Sequence, residues 1–498
     1  MTNMKKTIIL ILAALMPLAV MAKKEKKQEV DSLGNKIKTG WNFGILPSIA
    51  YDADYGFQGG ILTNVYYYGD GSQYPEYIHS IYFEGAYTTK HHGIFRLNYD
   101  SKYLIPGYRL TLDATYLPDA MCDFYGFNGY QAKYNYDWHN WNQKPEKMNV
   151  DAYKTRVFYK YKRDLIRVAG DIEGTIYKDL KWNAGLGVLG YIIDDCDIKM
   201  LNGKNEYDPT ATHQKPLNPN AQLLYDKYKK WGLIGADEAN GGWHPYLRGG
   251  ITYDTRDKRQ GPNKGIYTDL FLTYSAAFNA AYGQQASAGY NHLQFNFTFR
   301  HYVPCYKDKN GIDRITFAYR FGVQNNIAGK SPFYMNNYMN TLFIQRVYYE
   351  GLGGGNSVRG MMANRILANG FAFANVEFRF RVVNFDIGRQ HFFVGLNPFF
   401  DLGVITQPYK LDELVAENTN GQYKTLKQIM AVKTPTDNYE DYFTTSVNDI
   451  YRPHMTAGLG LKIGMNENFV LSADWGMPID IQDNGKWANF YVKMGYLF

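Results

Sequence analysis

Gly351-Leu-Gly-Gly-Gly-Asn-Ser-Val-Arg-Gly360 is followed by Phe371-Ala-Phe-Ala-Asn-Val-Glu-Phe-Arg-Phe380 and then by Phe399-Phe-Asp-Leu-Gly403. The middle segment alternates strictly. Ala374, Val376, Phe378, Phe380 and Val382 share one parity, and Asn375, Glu377, Arg379 and Arg381 share the other. Successive side chains of a strand point to opposite faces, so this segment has one apolar face and one polar face turned toward an enclosed space. In the next segment Val394, Leu396, Phe400, Leu402 and Val404 share a parity, with Asn397, Asp401 and Gly403 on the other. Glu377 and Asp401 are therefore expected to point into one polar interior. The glycine run ahead of them lets a loop bend back inward, because glycine adopts backbone angles that other residues avoid. Arg359 then sits at the loop tip, where a guanidinium can pair with a carboxylate through two parallel hydrogen bonds.

Composition agrees with a membrane barrel. The mean hydropathy is −0.42, yet the chain is 16% aromatic, with 45 Tyr, 29 Phe and 8 Trp. Only alternate residues of a barrel strand face lipid, and aromatics mark both interfaces, so a polar average with many aromatics is what such a fold requires. A soluble β-sandwich would carry a smaller aromatic excess. Lys5 and Lys6, the apolar run from Ile8 to Met21 and a small residue at Ala22 read as a secretory signal peptide over residues 1–22. Residues 23–40 read as a short charged periplasmic linker, and residues 41–498 as the barrel. No run after the signal approaches the roughly 20 apolar residues of a spanning helix.

From Trp41 onward the chain is short strands and turns. Residues 153–178 fit two strands or one long one, and the count of sides decides between them. One strand gives about sixteen in all, the even number bacterial barrels use. The long insertions 118–150, 196–242, 329–362 and 407–450 then all follow odd-numbered strands and emerge at one end, as in barrels with long outer loops and short inner turns. The clearest alternation is Leu293, Phe295, Phe297, Phe299 and Val303 against Gln294, Asn296, Thr298 and Arg300. At the other extreme of the chain, Phe490, Val492, Met494, Tyr496 and Phe498 step by twos and are expected to form one apolar, lipid-directed face.

Ser357-Val358-Arg359-Gly360 followed by Phe399-x-Asp401-x-Gly403 resembles the BamA-type outer-membrane assembly-factor superfamily, also called bacterial surface antigens. Thr252-Tyr-Asp-Thr-Arg-Asp257 before a short turn is similar to that family as well. The resemblance implies an all-β, antiparallel transmembrane barrel of about sixteen strands with an inward-folded loop. It implies that Arg359 locks against Asp401, with Glu377 a second carboxylate. It also makes Phe490, Tyr496 and Phe498 a signal by which barrels are recognised for insertion. Met361 departs from the aromatic usual after Arg-Gly. Soluble client-capturing modules precede the barrel in this family; no such module fits in residues 23–40, and the expectation is a barrel that works with partners.

Other chemistry finds no support. Gly185-Leu-Gly-Val-Leu-Gly190 has the letters of a dinucleotide fingerprint but lies inside a strand with no helix after it. The Gly351–Gly355 run lacks the lysine and helix of a phosphate loop. His91-His92 sits at a turn without a Cys or carboxylate at ligand spacing. His213, His244 and His454 lie in or beside long insertions, with no nucleophile or oriented carboxylate evident. Cys122, Cys196 and Cys305 are odd in number and scattered, so free thiols are expected. The formal charge of +7 is spread along the chain and does not argue for nucleic acid. The expectation is a non-enzymatic protein of the bacterial outer membrane without cofactor or metal. As the resemblance has it, the barrel assists insertion or translocation of proteins or lipids, with barrel or lipoprotein clients, periplasmic partners and outer-membrane lipids around it. A solute pore is the second reading. The third is a structural barrel that binds a surface partner through the aromatic insertion 118–150, which holds Trp138 and Trp141.

Overall fold

The structure is a computed structural model that describes residues 37–52, 56–74, 76–211, 213–258, 261–276, 290–309, 311–336, 351–387, 390–465 and 469–498. The expected signal peptide and most of the linker lie outside the described residues, as does part of the inward loop. The strands form one closed antiparallel barrel. They are β1 Trp41–Asp52, β2 Gly56–Tyr67, β3 His79–Thr88, β4 Gly93–Ile105, β5 Tyr108–Leu117, β6 Lys160–Tyr177, β7 Leu180–Asp194 and β8 Gly241–Asp254. The second half comprises β9 Gly265–Ser275, β10 His292–Lys307, β11 Asp313–Gly329, β12 Gly370–Ile387, β13 Gln390–Gln407, β14 His454–Met465, β15 Phe469–Pro478 and β16 Asn489–Met494. A seventeenth, two-residue strand, Cys122–Asp123, pairs with Lys160 and Tyr161 and extends β6 beyond the barrel. Residues 160–177 are one strand, as the side count requires.

Alternation places the side chains. Along β10, Gln294, Asn296 and Arg300 are buried, while Leu293, Phe295 and Phe297 are half-exposed on the outer face. No helix of the described residues is long and apolar enough to cross a membrane; the strands do the crossing. Every residue of β1 has a partner on β2, from Trp41↔Tyr67 to Asp52↔Gly56, but closure to β16 rests on two pairs, Tyr51↔Val492 and Asp52↔Tyr491.

All four long insertions leave the same end of the barrel and pack on one another. Phe124 meets Tyr228 edge-on at 5.0 Å, Phe127 lies 4.4 Å from Tyr409, and Trp231 lies 5.8 Å from Phe443. Trp138 is buried against Phe158 and Tyr442. Burying each such ring gains about 1.5–3 kcal/mol, enough to hold an irregular chain as a cap over the mouth. Of the rings in residues 118–150 that could bind a partner or pack over the barrel mouth, Phe124, Phe127 and Trp138 pack in the cap core, while Trp141 is half-buried and stacks on His213. Cys122 and Cys196 are buried free thiols and Cys305 is an exposed one.

Glu238 lies in this cap, buried, and accepts from the backbone N–H groups of Gly235 (3.2 Å) and Phe333 (2.9 Å). Burial pushes its carboxyl up to about 7, so the folded cap favours the protonated form. Its contribution is full below the unfolded carboxyl range near 4.5 and is lost as pH rises through about 7, a change of about 3 kcal/mol at most. Proteolysis of insertion 195–240 should therefore be slower at pH 5 than at pH 8, and Glu238→Gln should remove the difference; an unchanged pH dependence in that variant would contradict this assignment.

Candidate functional site: the inward loop and its anchor

Residues 351–369 turn back into the barrel as a compact knot. Gly353 and Gly354 have φ of 127° and 78°, which a side chain would resist. The Ser357 hydroxyl accepts from the Gly353 N–H and donates to the Gly353 carbonyl, both at 2.8 Å, and Leu352 bridges to Ile366. Val358 and Met361 sit fully buried with Leu352, Ile366, Phe371, Phe373 and Ile405. Met361 thus fills an apolar pocket. Gly360, at φ 95°, lies against Gly476 of β15 so closely that a Cβ would come within 2.7 Å of its backbone.

This knot delivers Arg359 to the wall. Its Nε and Nη2 donate to the two carboxylate oxygens of Asp401 at 2.8 and 2.9 Å, and its backbone N–H donates to Asp401 at 3.0 Å. Nη1 donates to Glu377 at 2.8 Å, and the guanidinium lies 3.5 Å from the centre of the Phe399 ring. Arg359, Asp401 and Glu377 are all 0% exposed. Around them, Arg379 donates to Glu377 at 3.1 Å, and Lys462 pairs with Asp474 at 2.6 Å. Asp474 approaches Arg359 at 4.0 Å. Arg359, Arg379 and Lys462 therefore face Glu377, Asp401 and Asp474, with Lys493 also close to Asp474, so that opposite charges offset one another. Such balance is what allows ions to remain in a buried site.

Two further elements hold the knot. Asn375 Nδ2 donates to the Ser357 carbonyl at 2.7 Å. On β16, the Tyr491 hydroxyl accepts from Gly360 N–H at 3.3 Å and Lys493 Nζ donates to the Gly355 carbonyl. The last strand thus touches the loop tip directly.

The residues expected to form the terminal signal divide. Phe490 lies on the outer face, 44% exposed. Tyr496 and Phe498 do not share that face: the chain leaves the sheet at Gly495 (φ 84°), and the Arg379 guanidinium draws them inside, 4.2 Å from the Tyr496 ring and 5.2 Å from the Phe498 ring. Arg379 Nη2 also donates to the Phe498 main-chain oxygen at 2.7 Å. Alternation could not foretell this, because one positive-φ glycine ends the strand geometry on which alternation depends.

A second buried cluster had no signal in the sequence. Arg365 donates to the carbonyls of Gln482 (3.0 Å), Gly129 (2.8 Å) and Ala132 (3.2 Å) and lies 3.8 Å from Asp483. Asp483 also holds His454 Nδ1 at 2.6 Å and the Tyr130 hydroxyl at 2.6 Å. The cluster clasps the loop to the cap. Of the other histidines, His244 bonds the Tyr334 hydroxyl at 2.9 Å, and His213 stacks on Trp141. The three histidines occupy three separate surroundings. Among the described residues no group of three His, Cys, Asp or Glu is placed to hold a metal ion.

An inward loop whose arginine is clamped by wall carboxylates, inside a closed sixteen-strand barrel, is the arrangement that the Ser-Val-Arg-Gly and Phe-x-Asp-x-Gly segments imply, and the Omp85 superfamily domain matches residues 96–498. The chain belongs to the Omp85 superfamily. It is an outer-membrane β-barrel, and the long insertions mark the extracellular end. Among solved structures it is similar to BamA from Haemophilus ducreyi lacking POTRA domains 1–3, at 14% identity over 99% of this chain and 78% of that one, with a TM-score of 0.48. It is also similar to CdiB from Escherichia coli, at 11% identity and a TM-score of 0.50 over 92% of this chain. The chain spans 62% of the length of that CdiB structure. The sequence matches no curated protein. At such identities the likeness to CdiB speaks to the fold.

Removing Arg359 leaves two carboxylates buried without their shared cation, which costs about 3–5 kcal/mol. Arg359→Ala should lower the denaturant midpoint of the folded barrel, read by heat-modifiable gel mobility. A double-mutant cycle with Asp401→Asn should give a coupling of about 1–3 kcal/mol; additive effects would show that the pair is not a lock. Gly360→Ala should destabilise as well, through its φ and its contact with Gly476, while Ser357→Ala, which removes both hydrogen bonds to Gly353, costs about 1–3 kcal/mol.

Proposed function

We propose that this barrel assists the insertion or translocation of other polypeptides or lipids at the outer membrane, acting through the seam between β1 and β16 and together with partner proteins. The observation that carries the reading is the two-pair closure, set against twelve pairs between β1 and β2. Extended, the register of those pairs would set Ala50 against Lys493 and Ile45 against Phe498. Residues 495–498 instead turn inward onto Arg379. The edge of β1 below Tyr51 is then free of a β16 partner among the described residues. An unpaired edge offers N–H and C=O groups on which an incoming strand can form.

The pore reading is less well supported. Arg320, Asn375, Arg379, Asp401 and Asp474, all directed inward, are 5% exposed or less, and the loop fills the space between them. The surface-binding reading loses Trp138 to the cap core and keeps the half-buried Trp141.

A disulfide across an existing pair tests the seam. In a Cys305→Ser background, Tyr51→Cys with Val492→Cys should form a bond on oxidation. Oxidised cells should lose other barrels or lipoproteins from the outer membrane, and reductant should restore them. A normal outer-membrane proteome with the disulfide formed would refute a seam-opening function, and altered solute uptake alone would favour the pore.

A further inference from the structure

Between the cap and the tip of the inward loop lies a cavity of 390 Å³ that none of the foregoing chemistry uses. Its volume falls in the range of ligand pockets, about 300–1,000 Å³. Four cationic side chains line it, Lys90, Arg156, Lys160 and Lys486, against one carboxylate, Asp123. Asp123 is already occupied, by Lys160 Nζ and by the Tyr125 hydroxyl at 2.8 Å. Arg156 lies over the Trp141 ring at 5.6 Å and Lys486 is exposed at the rim.

Two buried amides sharpen the polarity of the site. Asn484 and Asn489 are 4% and 7% exposed, both line the cavity, and the Nδ2 of each has no acceptor among the described residues. Tyr134, Tyr136 and Tyr159 supply aromatic walls suited to the apolar face of a partner; the Tyr134 and Tyr159 hydroxyls are engaged by His139 and Asn135. His139, held by the Tyr134 hydroxyl at 2.7 Å, is kept neutral mainly by burial, with Lys160, Lys486 and Lys90 acting in the same direction.

We propose that this cavity binds an anionic saccharide, a sugar ring carrying a carboxylate or phosphate. The cations receive the anion, and the tyrosines receive the face of the ring. The site stands independently of the seam. It nevertheless touches both working parts, since Met362 of the inward loop and Asn489 at the start of β16 form part of its wall.

The full chain in detergent micelles provides the test, by tryptophan fluorescence or calorimetry with digalacturonate, glucose 6-phosphate, maltose and inorganic phosphate. Both anionic sugars should bind at least about ten-fold more tightly than maltose or phosphate, a difference of about 1.4 kcal/mol. Arg156→Gln with Lys486→Gln should lower that affinity about ten-fold or more, while Lys433→Gln, on an exposed stretch of the cap, leaves it unchanged. Lipopolysaccharide micelles and the same saccharide freed of lipid separate a membrane-surface source from a soluble one, and preference for either supports the site when the double variant weakens it. Equal affinity for maltose or for inorganic phosphate, or full binding by a double variant with normal heat-modifiable mobility, overturns the proposal.

Discussion

A guanidinium at membrane depth cannot be left unpaired. Arg359 therefore fixes the position of everything within reach of it. Its five donors and their fork geometry select Asp401 and Glu377 together, and each of those carboxylates fixes a neighbouring strand register, Asp401 on β13 and Glu377 on β12. Lys462 and Asp474 extend the ion network to β14 and β15. Four consecutive strands are thus tied to one loop by charge. The loop in turn presses Gly360 onto Gly476, leaving no room for a side chain on either.

The same network reaches the seam. Glu377 binds Arg359 with one oxygen and Arg379 with the other, and Arg379 holds Phe498 inside the barrel. The ions that stabilise the middle of the second half of the barrel thereby also hold residues 495–498 away from β1. The ion network across β12–β15 and the two-pair contact between β1 and β16 thus meet at Arg379. The extracellular cap, whose core is a cluster of rings with ion pairs such as Lys227 with Asp437 around it, covers the other end.

Much of this was legible in the residues. Strict alternation placed Glu377, Asp401 and Arg379 inward, and the parity of the insertions distinguished one strand from two over 160–177. Lys462 and Asp474 stand at inward parities in the same way, although nothing in their spacing tells which loop residue they face. Three features lay beyond reading. The clasp of Arg365 with Asp483 and His454 joins residues far apart in the chain whose proximity only the fold creates. The inward turn at Gly495 breaks the periodicity on which the lipid-face expectation rested. Aromatic residues look alike in sequence whether they face a partner or pack a cap, and Trp138 does the latter.

Hydrogen exchange at the seam tests the central claim most directly. In the intact barrel the Leu46–Ala50 amides that point away from β2 should exchange about 100-fold or more faster than those of β12 around Glu377, which are bonded on both sides. Equal protection along β1 and β12 would contradict the account, because it would mean that β1 is fully paired and that the barrel has no weak side.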